Sequence, residues 1–138
     1  MTRQALCLLL ALSPALGPAK ATGLPPVPRF SAPATPAGLR SCQMGDLRLL
    51  VDRSGHVRFL EHGHLYPDNR LRVRQSYDRA GRLSGVRVQW SGFAGELLNV
   101  RGAFDSRGRL VRETGYRRAG VATPLRQYLR SLPGPVRC

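Results

Sequence analysis

The heptapeptide Tyr77-Asp78-Arg79-Ala80-Gly81-Arg82-Leu83 decides the fold, because its outline recurs on both sides. Val51-Asp52-Arg53-Ser54-Gly55-His56-Val57 precedes it, and Phe104-Asp105-Ser106-Arg107-Gly108-Arg109-Leu110 follows. The aspartates stand 26 and 27 residues apart. Each Asp-x-x-Gly is flanked by alternating apolar and polar residues, which predicts three β-hairpins built from one repeated unit. Asp-x-x-Gly suits a three-residue hairpin loop, a type I turn followed by a left-handed glycine that forms a G1 bulge. The aspartate side chain accepts hydrogen bonds from the backbone of its own turn.

Pairing the residues beside each loop gives a register. In the first hairpin Val51 faces Val57 and Leu49 faces Phe59 on an apolar side, while Leu50 with Arg58 and Arg48 with Leu60 share the other. In the third, Phe104 faces Leu110, Leu98 faces Tyr116, Arg101 lies opposite Glu113, and Arg112 falls on the apolar side opposite Gly102. One apolar and one polar face is what a half-buried antiparallel sheet requires. The second hairpin breaks parity between Leu83 and Val86, and a β-bulge at Ser84-Gly85 restores it. Thr123-Pro124 then opens a predicted helix whose Leu125, Tyr128, Leu129 and Leu132 recur at i, i+3, i+4, i+7. Pro133-Gly134-Pro135 ends it. The expected fold is mainly β with some α: a six-stranded antiparallel meander of three repeated hairpins, with one short C-terminal helix packed on its apolar face.

The termini read differently. Arg3, the apolar run Ala5 to Leu12 and Ala19-Lys20-Ala21 have the order of a secretory signal, assigned to 1–21. That run is too short, and too broken by Pro14 and Pro18, to span a bilayer. Cys7 has too few residues before it for a lipid anchor. Residues 22–40 carry Pro25, Pro26, Pro28, Pro33 and Pro36 and read as an extended linker. The remaining stretch, 41–138, suits one small domain. Export leaves Cys42 and Cys138 at its two edges, which predicts one disulfide and a secreted or periplasmic location. An intermolecular bridge and two free thiols are the alternatives.

The chain carries 22 Lys and Arg against 8 Asp and Glu, a net charge of +14 with a pI near 11.5. Once the signal is removed, every basic residue is arginine. GC-rich codon usage accounts for arginine over lysine but not for the excess over acids. The register directs Arg48, Arg58, Arg72, Arg74, Arg87 and Arg101 to the polar face, with Glu113 the one acid placed among them. Arginine binds phosphate and carboxylate bidentately, so these six are the candidate anion-binding residues. Candidate partners are envelope polysaccharide, lipopolysaccharide, nucleic acid or an acidic protein. Phe59, Phe104, Trp90 and most tyrosines fall on the apolar side, which speaks against a stacking platform for single strands.

His56, His62 and His64 have no ligand partners at a metal-binding spacing, and no phosphate loop, dinucleotide fingerprint or nucleophile motif is present, so neither metal nor cofactor is expected. Glu61 with His62 or His64 near an arginine forms a trio that would suit a small secreted hydrolase of the nuclease kind. The heptapeptides around Asp78 and Asp105, with a degraded third around Asp52, resemble the YD repeat of Rhs-type and teneurin shell proteins. That family strings many repeats into large β shells. The resemblance covers little more than the turns, implies a hairpin meander with extracytoplasmic interactions, and transfers no catalytic residue. The leading expectation is an exported, non-enzymatic binding or structural module of a bacterial envelope; the alternative is the nuclease-like hydrolase.

Overall fold

The computed structural model describes residues 35–134 together with Val136 and Cys138. The expected signal 1–21, and the expected linker up to residue 34, lie outside the described residues. Seven strands form one antiparallel open sheet in sequence order: β1 (Arg40–Met44), β2 (Leu47–Val51), β3 (Val57–Leu65), β4 (Asn69–Tyr77), β5 (Leu83–Gly92), β6 (Gly95–Phe104) and β7 (Leu110–Arg117). The described residues are thus mainly β, with one 3-10 turn among them at Leu125–Tyr128. Among the described residues, no helix is long and apolar enough to cross a membrane.

The three Asp-x-x-Gly turns close β2–β3, β4–β5 and β6–β7 with one geometry. The Gly55, Gly81 and Gly108 N–H groups donate to the Asp52, Asp78 and Asp105 carbonyls at 3.0, 3.1 and 2.9 Å. All three glycines have left-handed φ, at 85°, 76° and 72°. The carboxylate Oδ1 of each aspartate accepts the N–H four residues on, from His56, Arg82 and Arg109. Those backbone hydrogen bonds hold all three carboxyls below the ordinary value of 3.8. The expected hairpin loops are therefore present, and the pairs Val51↔Val57, Tyr77↔Leu83 and Phe104↔Leu110 beside them stand as read.

Beyond those pairs each hairpin carries a register shift, leaving Arg58, Ser84 and Val111 as the extra residues. The one at Ser84 is the bulge demanded by the broken parity. The other two correct the expected register by one residue. Leu49 pairs with Leu60, and Phe59 moves to the opposite face beside Leu50. Arg112 faces Ala103, Tyr116 faces Asn99, Glu113 faces Gly102 and Arg101 faces Thr114. A one-residue slip exchanges faces, so these are changes of side and not of detail.

The expected count of six strands is also corrected. β1 pairs with β2 through a two-residue connection, with Met44 opposite Leu47 and Gly45 at φ 61°. A left-handed glycine followed by an ordinary residue suits a type II′ hairpin, which Gly45-Asp46 supplies. Arg40, expected to end the linker, opens this strand.

One face of the sheet carries two apolar clusters. Val73, Val86, Val88, Leu98, Val100 and Phe104 gather around Leu125, and Cys42, Leu49, Val51, Val57 and Leu60 gather around Tyr77. The C-terminal segment covers both, but not as the expected helix. After the 3-10 turn, Leu129 is already extended. The sheet takes the backbone groups that an α-helix would use internally. Buried Gln75 accepts from the Arg130 N–H at 2.7 Å and donates to its carbonyl at 2.9 Å, while His62 Nε2 donates to the Tyr128 carbonyl at 2.9 Å. An extended chain rises about 3.3 Å per residue against 1.5 Å in a helix. The strap therefore reaches across the sheet, lays Leu132 and Val136 on the second cluster, and joins Cys138 to Cys42 in a disulfide with Cα atoms 5.5 Å apart.

Candidate anion-binding face

On the other face the register assembles a row of charged side chains running across the strands. Arg48 on β2 pairs with Glu61 on β3, Glu61 with Arg74 on β4, Arg74 with Arg87 on β5, and Arg87 with Arg101 on β6. Strand spacing of about 4.8 Å sets Arg74 and Arg101 roughly 10 Å apart along the row. Arg72 belongs to the next row, between Gly63 and Gln89. Arg58 is the extra residue of its bulge and has no partner in either register. Of the six expected arginines, the structure thus aligns Arg48, Arg74, Arg87 and Arg101, leaves Arg72 alongside, and sets Arg58 apart.

The members of the row differ in their partners. Glu61 bonds Arg48 Nη1 at 2.9 Å and lies 3.1 Å from Arg74 Nε. The second contact has ion-pair distance without hydrogen-bond alignment, so the buried Arg74 Nε lacks a hydrogen-bond acceptor. Arg74 also stacks on Phe59, with its guanidinium carbon 4.2 Å from the ring centroid, a favourable cation–π geometry. Arg48 further bonds Ser41 and Thr35. Among the described residues Arg87 has no such ion pair or ring stacking: its Nε is buried without a hydrogen-bond partner, and cross-strand arginines stand on both sides. Like charges directly opposite destabilise a sheet, so positive charge is concentrated here at a cost to folding.

Three of the other acids are engaged elsewhere. Asp78 and Asp105 bind Arg82 and Arg109 in their turns, and Glu113, which the bulge moves away from Arg101, binds Arg117 at 2.6 Å. Gly85 puts no side chain beside the row, and a depression of about 270 Å³ opens there between Phe59, Arg74, Arg87 and Arg101. The sequence reading did not place Phe59 and Glu61 on this face. Glu61 lies two residues from Phe59 and shares its face in any register, so the bulge at Arg58 carries both to this side together. The two adjacent apolar residues Phe59-Leu60 hid that bulge.

The residues of the hydrolase trio are not brought together. Glu61 lies in the arginine row, whereas His62 pairs with Val73 and contacts the strap on the apolar face. His64 pairs with Leu71, on the His62 side of the strand. Burial pushes the His62 imidazole below its ordinary 6.5. Among the described residues, no group of three or more His, Cys, Asp or Glu is placed to hold a metal ion. Comparison of the chain with protein-family models, curated proteins and solved structures finds no match.

Proposed function

We infer that this chain is an exported, non-enzymatic binding module of the bacterial envelope, and that the row Arg74, Arg87, Arg101 engages an anionic polymer. The observation that carries the reading is Arg87, whose buried Nε has no acceptor while arginines flank it on both adjacent strands. A phosphate or carboxylate in the depression beside Gly85 would supply that acceptor and relieve the repulsion. The Cys42–Cys138 disulfide supports an oxidising compartment outside the cytoplasm.

The test is fluorescence-anisotropy binding of the oxidised protein to RNA, DNA, lipopolysaccharide and an acidic glycan at physiological salt. Arg87→Glu/Arg101→Glu is compared with Arg79→Glu/Arg107→Glu, which removes the same net charge from two exposed turns. Loss of two guanidinium contacts weakens binding about tenfold or more in the first variant. The turn variant retains most of its affinity. Equal weakening in both reduces the effect to net charge and sinks the assignment. An acidic protein as the only high-affinity partner would keep the face and replace the polymer.

A further inference from the structure

Five large apolar side chains stand exposed among the described residues, and Leu65, Tyr66 and Phe93 share one end of the sheet. The Asp-x-x-Gly turns close β2–β3, β4–β5 and β6–β7, so the connections β1–β2, β3–β4 and β5–β6 lie together at the opposite end. There Tyr66 is 61% exposed and Phe93 96%. Both line one open cleft of about 470 Å³, together with Asp68, Asn69, Arg70 and Ser91. That volume is within the range of small-ligand sites, about 300–1,000 Å³.

The polar lining is positioned in advance. His64 stacks on Tyr66 with ring centroids 5.1 Å apart, which holds an otherwise exposed ring. Asn69 Oδ1 accepts from Trp90 Nε1 at 2.7 Å and from His64 Nε2 at 3.1 Å. Two donors on Oδ1 fix the amide, so its Nδ2 is an oriented donor without an acceptor among the described residues. Neither aromatic is needed by either apolar cluster.

The charges here differ from those of the arginine row. Asp46, Asp68 and Glu96 stand at this end beside Arg70, Arg117 and Arg118, so no single sign dominates. A polyanion gains little from such a field. A ligand suited to it has an apolar face for two aromatic rings and a rim of groups that both donate and accept, as hydroxyls do. We propose that the cleft between the β3–β4 and β5–β6 connections is a carbohydrate site, taking a pyranose ring against Tyr66 and Phe93 with hydroxyls bonded by Asp68 and Asn69. It is separate from the arginine row and does not depend on that row's function.

Trp90 is the chain's single tryptophan and touches Asn69, so its emission reports on the cleft. The full oxidised protein is titrated with cellohexaose, maltohexaose and chitohexaose. At least one of them shifts Trp90 emission saturably, and Tyr66→Ala/Phe93→Ala raises its Kd about tenfold, the size expected for lost aromatic contacts. Phe93→Ala alone, at a fully exposed tip, reads the same contact without touching His64. Arg87→Glu/Arg101→Glu leaves sugar binding within about twofold, since surface charges this distant are largely screened. Absence of a shift with all three sugars, or a shift unchanged in the aromatic variants, overturns the proposal. So does loss of vesicle or oligouridylate binding in those variants with no sugar bound, which would assign the end to lipid or nucleic acid. Failure of the arginine-row reading leaves every one of these results intact.

Discussion

His62 shows how one side chain links sequence, fold and pH. It alternates correctly in β3 and so faces the apolar side, where its Nε2 donates to the Tyr128 carbonyl of the strap. Desolvation lowers its pKa, the Tyr128 carbonyl and Asp46 oppose this, and Arg130 reinforces it. The folded state then binds this proton less readily than the unfolded state. Its contribution to stability is full above the ordinary value of 6.5 and is lost as pH falls from there through the folded value. Urea denaturation at pH 7 and pH 5 is expected to show lower stability at pH 5. His62→Gln keeps a donor for Tyr128 without a titrating ring and flattens that dependence; an undiminished slope in the variant would assign the effect to other groups. The sequence showed this histidine but not its role, because the strap it grips is 66 residues away. Gln75 was silent for the same reason: nothing local marks a buried amide whose partner is Arg130.

At the scale of elements, the turns were legible because their chemistry is local. Asp52, Asp78 and Asp105 hydrogen-bond within five residues, and each glycine adopts the conformation its turn requires. A Cβ added at Gly81 or Gly108 would meet nothing within 4 Å, so the cost of a side chain there is backbone strain alone. Gly108→Ala is expected to lower stability by about 1–2 kcal/mol. Gly108→Asn costs less, because asparagine tolerates the left-handed region. Equal losses for Ala and Asn in thermal unfolding would point to a contact and not to φ. The bulges were legible only where parity failed. Leu83 and Val86 cannot both face inward without an extra residue, so the bulge at Ser84 announces itself. Phe59-Leu60 and Leu110-Val111 are adjacent apolar pairs, and either member fits the core; the shift at Arg58 leaves no trace in the pattern, and the one at Val111 shows only in Arg112, which it moves off the apolar side. β1 is short and mixed in character, and its best signal, Gly45-Asp46 between Met44 and Leu47, is a hairpin turn that a longer flanking pattern would have revealed. The spacing of Leu125, Tyr128, Leu129 and Leu132 satisfies an amphipathic helix and an extended strap almost equally well. The sheet's own hydrogen-bonding groups chose the strap.

For the whole molecule, the open sheet separates three tasks: charge on one face, burial on the other, and apolar tips at one end. The burying face depends on a cover that is itself held at only a few points. Leu125 seals the cluster on β4–β6, Gln75 and His62 clamp Tyr128 and Arg130, and the far end of the strap is tied to β1 by the Cys42–Cys138 bond across 96 residues of sequence. In the chain-entropy account a loop of that length contributes about 4–5 kcal/mol. Cys42→Ser/Cys138→Ser is expected to lose about that much in urea denaturation. The loss is also expected to be uneven. Leu132 and Val136 cover the cluster of Leu49, Val51, Val57 and Leu60 next to the bond, whereas Val88, Leu98 and Val100 lie under Leu125, which the clamps still hold. Hydrogen exchange in the double variant should therefore rise first in β1, β2 and the strap, with β4–β6 protected, because local opening follows the contacts that remain. Uniform loss of protection across all seven strands would show that cover and sheet fold as one unit. The disulfide would then stabilise the molecule only through its unfolded state, not by holding the strap in place.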